Sequence, residues 1–215
     1  MKPEDIAKIR ASYTKGRLSR EDLHPDPMVM LMAWFENAIA QEVPEANAVS
    51  LATVSAEGQP SVRTVLVKGI EEEGLIFYTN YQSRKGKELN INPKCGLLFF
   101  WKELEQQIRI EGKVEQISVA QSKAYFQSRP KGSQIGAWAS PQSDTIIDRG
   151  TLENRVDELN QIYQDYDALP KPSFWGGYRL IPSYFEFWQG RDNRLHDRFE
   201  YQNNNGEWEI NRLAP

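Results

Sequence analysis

Between residues 48 and 116 short apolar segments follow one another at hairpin-length separations, and nothing else in the chain limits its fold so strongly. "AVSLATVS" and "SVRTVLVKGI" flank "AEGQP", whose Glu57-Gly58 pair is a hairpin signal. "GLIFYTN", "CGLLFFW" and "QQIRIEGKVEQI" follow, the last alternating Ile108 and Ile110 with Arg109 and Glu111. Three more strand-like pieces, "YRLIPSYFEFWQG", "NRLHDRFEY" and "EWEINRL", finish the chain. Seven or eight short strands without regular βαβ alternation argue against a doubly wound sheet. They predict a mainly β fold with α, an antiparallel barrel with helices packed outside.

The helical segments are fewer. "PEDIAKIRASYTKG" predicts a short helix with Pro3 early, Glu4 and Asp5 in the first turn and Gly16 as the stop. Its apolar stripe (Ile6, Ile9, Tyr13) is thin enough for a mobile arm. "DPMVMLMAWFENAIAQEV" is a stronger helix, capped by Asp26 with Pro27 at its first position. "SRKGKELNIN" opens a short helix at Ser83, and "SVAQSKAYFQSR" carries a capping box, Ser118 and Gln121, and stops before Pro130. "PKGSQIGAWASPQS" reads as a loop, followed by a long polar helix from about Asp144 to Tyr166. No Gly-, Ser- or Pro-rich linker divides the chain, so an arm over 1–24 and a single domain over 25–215 are expected.

Charge and cysteine usage narrow the partners. Lys and Arg total 26 against 30 Asp and Glu, a net charge of −4, so an anion site must be a local cluster and not a global basic field. The one cysteine, Cys95, forms no internal disulfide and leaves no Cys-rich metal site. "MKPEDIAKIR" has no apolar signal core, and no run approaches the ~20 apolar residues of a membrane span. A soluble, cytoplasmic protein that binds neither nucleic acid nor membrane is expected. Dinucleotide and P-loop glycine patterns are absent, no serine sits in a nucleophile elbow, and His24 is too isolated to build a metal site with His196.

Four places gather cations beside hydroxyls or aromatics. In "RTVLVK" the odd spacing of Arg63 and Lys68 puts them on opposite faces of an extended strand, one for each of two ligands; two solvated charged strand ends account for the pair equally well. In "YTNYQSRKGKEL" Thr79, Ser83, Arg84 and Lys85 meet at a strand end and helix start, where free N–H groups favour an anion, although a solvated turn also fits. In "KAYFQSRPKGS" Tyr125 and Arg129 are i,i+4 neighbours, with Ser133 in the following loop; an exposed helix end explains them nearly as well as a phosphate clamp. Finally, in "NRLHDRF" an extended backbone places Arg194, His196 and Arg198 on one face, where two guanidiniums favour neutral histidine and an electron-rich ligand. Trp188 adds a flat surface beside them. Two anion clamps plus aromatics point to phosphorylated aromatic ligands.

Together these segments resemble the pyridoxamine 5′-phosphate oxidase family of flavin enzymes. The resemblance rests on "RTVLVK", "FYTNYQSRKGKEL", "RIEGKVE", "YFQSRPKGSQIGAWAS.QS", "PSFWGGYRL", "EFWQG", "NRLHDRF" and "INRLAP", which run in family order from about residue 45 to the C-terminus. It implies an FMN-binding split β-barrel acting as a homodimer, with two FMN sites built from both subunits. By position, FMN is then held by the strand Arg63, Thr64, Val65, Leu66, Val67 and Lys68, by Tyr78 and Thr79, and by Arg84 and Lys85. Gln107, Gln142, Ser143, Trp188 and Arg198 complete that set. The substrate phosphate falls to Lys68, Tyr125, Arg129 and Ser133, while Arg194 and His196 lie against the pyridine ring as the catalytic pair. Arm residues Arg10 to Tyr13 close over it. Glu45 and Asp192 have no assigned counterpart, and no metal is implied.

The reaction implied is oxidation of pyridoxine 5′-phosphate or pyridoxamine 5′-phosphate to pyridoxal 5′-phosphate, by hydride transfer from C4′ to the flavin and reoxidation by dioxygen to hydrogen peroxide. A related split-barrel FMN protein with another substrate is the alternative. A non-enzymatic binding module for phosphorylated ligands or RNA fits the acidic balance poorly.

Overall fold

The computed structural model describes Asp5, Lys8, Ile9 and residues 11–215. Most of the expected first helix, and Arg10 with it, lies outside them. From Ala11 to Gly16 the expected helix is not formed. The thin apolar stripe gives a helix little to bury, and the segment is tied elsewhere: the Lys15 backbone N–H donates to Glu105 Oε2 at 2.9 Å and the Lys15 side-chain Nζ to the Glu103 carbonyl at 2.7 Å.

Five α-helices and eight strands follow. Helix α1 (Pro27–Ala40) opens as expected, the Asp26 carboxylate accepting from the Met28 N–H. Strands β1 (Ala48–Val54) and β2 (Pro60–Glu71) are joined by the anticipated hairpin turn, with Gly58 at φ 82°. Strand β3 (Gly74–Asn80) leads into α2 (Arg84–Ile91), capped by Ser83, whose hydroxyl accepts from the Gly86 N–H. Then come β4 (Lys94–Trp101), β5 (Gln106–Gln116) and α3 (Val119–Ser128), with Ser118 Oγ accepting from the Gln121 N–H. Helices α4 (Lys131–Ala139) and α5 (Arg149–Ile162) precede β6 (Trp175–Gln189), β7 (Asp197–Asn204) and β8 (Glu207–Arg212).

The strands form one sheet in the order β3-β2-β1-β4-β5-β6-β7-β8, and the additional β3–β6 pairing closes the first six into an antiparallel barrel. By contacts the chain divides into two compact units, each assembled from separated segments. The first comprises Met1–Val49, Leu97–Glu111 and Pro182–Pro215; the second comprises Ser50–Gly96 and Gly112–Ile181. The first unit's core is aromatic, with Trp34 edge-on to Phe187 at 5.3 Å and Phe35 to Phe99 at 6.2 Å. The second packs Phe126, Ile135, Leu159, Leu169 and Trp175 into one cluster. Among the described residues no helix is long and apolar enough to cross a membrane.

Four local expectations need correction. "PKGSQIGAWASPQS" is largely helical: Ile135 and Ala139, i and i+4, are buried in the cluster with Trp138 packed beside them, and this burial outweighs the low propensity of Gly132 and Gly136. The polar helix starts at Arg149, later than Asp144, where Asp148 accepts from the Thr151 N–H at 2.9 Å. Arg129 is not in the last helical turn with Tyr125; it follows α3 in an extended conformation, φ −74° and ψ 151°, as a residue before proline prefers. "NRLHDRF" is not one strand. Asp192–Arg194 make a short 3-10 turn, with Asn193 and Arg194 at φ 54° and 62°, and β7 begins only at Asp197. Arg194, His196 and Arg198 therefore do not form a row on one strand face.

Candidate functional site

In the second unit β2, β3, the start of α2, the α3–α4 corner and the first residue of β6 surround a cavity of about 530 Å³. Arg63, Thr64, Val65, Leu66 and Lys68 line it from β2. Arg63 and Lys68 thus face the same cavity, contrary to the alternation expected of them. The β2–β3 register steps from Val67↔Phe77 to Gly69↔Ile76, so Lys68 is the extra residue of a bulge that re-aims its side chain. Val67 is buried in the core and does not line the cavity.

Part of the cavity wall is built around Lys85, which is 9 % exposed. Its Nζ lies 3.3 Å from Thr79 Oγ1, 3.4 Å from Ser83 Oγ and 3.2 Å from Gln142 Oε1, all neutral oxygens. Burial, aided by the nearby Arg63 charge, lowers its pKa. A buried ammonium at a helix start costs free energy that a bound anion would offset. Arg63 donates to the Leu51 carbonyl at 3.1 Å, to the Thr53 and Ser61 hydroxyls, and pairs with Glu88 at 3.3 Å. Burial alone would raise the Glu88 pKa, but hydrogen bonds from Thr53, Ser61 and Arg84 and the Arg63 charge bring it down to about 2. Arg84 turns away from Lys85: it is bound to Glu88 at 2.9 Å and lines a second hollow of about 360 Å³ with Ser143, which stands at φ 76°.

Tyr125, Arg129 and Ser133 also line the cavity. Tyr125, Tyr78 and Trp175 stack nearly parallel, with centroids 3.8 Å apart for Tyr125–Tyr78 and 5.3 Å for Tyr78–Trp175. Burial, with the nearby Tyr125 acidic group, pushes the Tyr78 phenol up to about 12, so it stays neutral. The Arg129 guanidinium lies over the Trp175 ring at 4.9 Å. Its Nη1 is buried and has no hydrogen-bond partner among the described residues. An unpaired charged donor in a cavity fits a phosphate oxygen. Two cationic stations and a flat aromatic wall thus suit a ligand set bearing phosphates and rings.

The remaining predicted residues lie in the first unit. Tyr13 stands edge-on to Trp188 at 5.7 Å and to His196 at 5.5 Å, and Trp188 and His196 are 4.6 Å apart. His196 Nδ1 accepts the Arg191 N–H at 3.1 Å, which selects the neutral tautomer; burial, then Arg194 and Arg198, lower its pKa. Arg194 is exposed and Gln107 half-buried on β5. Arg198 is held by Glu186 at 2.7 Å, Glu186 being 2 % exposed and also paired with Arg109 at 3.2 Å. Glu45 and Asp192 are absent from the cavity lining. Sequence reasoning missed Trp175, Glu88 and Gln134. Trp175 stood in a recognised motif without a role, and Glu88 was signalled only by its i,i+4 spacing from Arg84.

Comparison with known proteins agrees with this architecture. Residues 35–163 match the family model described as pyridoxamine 5′-phosphate oxidase, and residues 175–215 match the pyridoxine 5′-phosphate oxidase C-terminal dimerisation region. A pyridoxine/pyridoxamine 5′-phosphate oxidase of Acaryochloris marina is 50% identical over 210 residues, 98% of this chain and 95% of the relative. One from Bordetella petrii is 51% identical over 211 residues, 98% and 99%. The crystal structure of PhzG from Burkholderia lata, in complex with tetrahydrophenazine-1-carboxylic acid, superposes with a TM-score of 0.86 at 32% identity, covering 92% of this chain and 98% of PhzG. An FMN-binding protein from Nostoc punctiforme shares the fold, with a TM-score of 0.69 at 20% identity over 90% of this chain and all of its own.

Fold and relatives together define a split-barrel oxidoreductase. The chain belongs to the pyridoxamine 5′-phosphate oxidase family.

Proposed function

We propose that this chain is an FMN-dependent oxidase that converts pyridoxine 5′-phosphate and pyridoxamine 5′-phosphate to pyridoxal 5′-phosphate. The observation that carries the reading is the pair of cation stations lining one cavity, Lys85 among neutral oxygens and Arg129 with an unpartnered Nη1. The residues present fit the flavin: Lys85, Thr79 and Gln142 would hold its phosphate end, and Arg63 to Leu66 would lie along it. Bound FMN would supply the acceptor for the hydride that leaves substrate C4′, and dioxygen would take the two electrons back, becoming hydrogen peroxide.

The chain's own groups bind and orient. Lys68, Tyr125, Arg129 and Ser133 hold the substrate phosphate, which fixes the ring against the stacked aromatic wall. Neutral His196 and Arg194 are assigned to the ring by family resemblance, and Trp188 and Arg198 to the flavin. The match to a dimerisation region supports a homodimer. Arg84 and Ser143, on the second hollow, are assigned to the flavin by the same resemblance.

The PhzG likeness favours a second reading, a split-barrel FMN oxidase for a carboxylated, phosphate-free tricycle. The Arg129 clamp supports the phosphate ester instead. Purified protein should be yellow and release peroxide with pyridoxine 5′-phosphate. Peroxide with a reduced phenazine carboxylate and none with the phosphate ester would overturn the proposal.

A further inference from the structure

At the α3–α4 corner one side chain outside the proposed ligand set ties the phosphate end together. Gln134 is 1 % exposed, and its amide is used on both sides. Nε2 donates to the Arg129 carbonyl at 2.7 Å and to the Gln127 carbonyl at 3.3 Å; Oε1 accepts the Leu169 N–H at 2.7 Å. The last carbonyls of α3 have no intrahelical donor, and Gln134 reaches back across the corner to satisfy one of them. It also grips the first carbonyl beyond the helix, that of the residue whose guanidinium enters the cavity. Its third bond holds Leu169, which shares a buried cluster with Trp175, the ring under that guanidinium. Ser133, also on the cavity wall, is its neighbour in the chain.

We infer that Gln134 is a positioning residue for substrate phosphate, acting through Arg129 and Ser133 without touching the ligand. The inference rests on the reading of Arg129 as a phosphate ligand. The Arg129 N–H donates to the Phe126 carbonyl at 3.3 Å and its carbonyl accepts from Gln134 at 2.7 Å, so the Gln134 bond is the shorter of these two holds on the Arg129 backbone. No other common side chain of this size offers two donors and an acceptor. Leucine removes all three bonds, whereas glutamate keeps the acceptor for Leu169 but, when ionised, turns lone pairs toward two carbonyls.

The test uses FMN-loaded holoprotein and peroxide release with pyridoxine 5′-phosphate. Gln134→Glu should raise the Michaelis constant about tenfold at pH 8, with a smaller change in kcat and the same FMN affinity. At pH 6 the rise relative to wild type should shrink, since the protonated acid regains a donor. Gln134→Leu should show the larger rise at both pH values; if it does not fold, Gln134→Glu decides alone. In an Arg129→Ala background Gln134→Glu should add little, because the group it positions is gone. A Michaelis constant within twofold of wild type in Gln134→Glu, or full additivity with Arg129→Ala, overturns this inference while leaving the clamp intact. An unchanged Michaelis constant in Arg129→Ala overturns the clamp reading and this inference with it.

Discussion

Arg129 and His196 show what single residues contribute. The Arg129 guanidinium is held over Trp175 with an unpaired donor, while the oxygens bonded to Lys85 belong to Thr79, Ser83 and Gln142. Arg129→Ala should therefore raise the Michaelis constant for pyridoxine 5′-phosphate roughly 10- to 100-fold, the equivalent of about 1.5–3 kcal/mol for a charge-assisted contact, while the protein stays yellow. Steady-state kinetics with flavin absorbance checks both halves. His196 is kept neutral by burial, by two guanidiniums and by the Arg191 N–H on its Nδ1. Its folded pKa lies below the ordinary 6.5, so its stabilising contribution is present above 6.5 and fades as pH falls through the lower folded value. Ring proton shifts followed by NMR should titrate below 6.5, and Arg194→Ala should move that midpoint upward. Residue types at these positions were legible in the sequence, because cations beside hydroxyls and a histidine between arginines are local patterns. Gln134 and Glu88 were not, since their meaning comes from partners such as Leu169 and Thr53, 35 residues away in each case.

Helices and strands decide whether those residues meet. The cap at Ser83 and the strand ends around it were readable, and α2 starts where Ser83 places it. The bulge at Lys68 was not readable: nothing in "RTVLVK" marks it, and only the pairing with β3 reveals the extra residue. In α4, glycines masked an amphipathic pattern that the cluster around Phe126 and Trp175 rewards. Likewise the left-handed turn at Asn193 and Arg194 interrupted a sequence that alternates well enough for a strand. Close approach constrains α2 as much as its cap does. A Cβ on Gly86 would stand 2.3 Å from the Tyr81 carbonyl oxygen, which is backbone and cannot swing aside. Gly86→Ala should cost about 1–3 kcal/mol of stability and weaken FMN binding by shifting the neighbouring Lys85. Urea unfolding and flavin titration would show it; a variant as stable as wild type would contradict the packing described for α2.

At the scale of the whole molecule, the barrel was foreseeable from the strand count and the hairpin-length turns, whereas the division into two units was not, because each is built from segments distant in sequence. Residues 175–215 match a dimerisation region, and the family resemblance shares each site between subunits. Sedimentation at micromolar concentration should therefore give an FMN-loaded dimer; a flavin-loaded monomer would refute the shared site. The interleaved segments also bear on how the chain is made. The second unit has all its segments once Ile181 has emerged from the ribosome, but the first still waits for Pro182–Pro215. Until then Trp34 lacks Phe187, the ring it meets edge-on at 5.3 Å, and Phe187 in turn packs on Tyr201 from the same final stretch. A nascent chain paused there is half-finished in a specific way, and chaperones that recognise exposed aromatic surface would meet it at that moment.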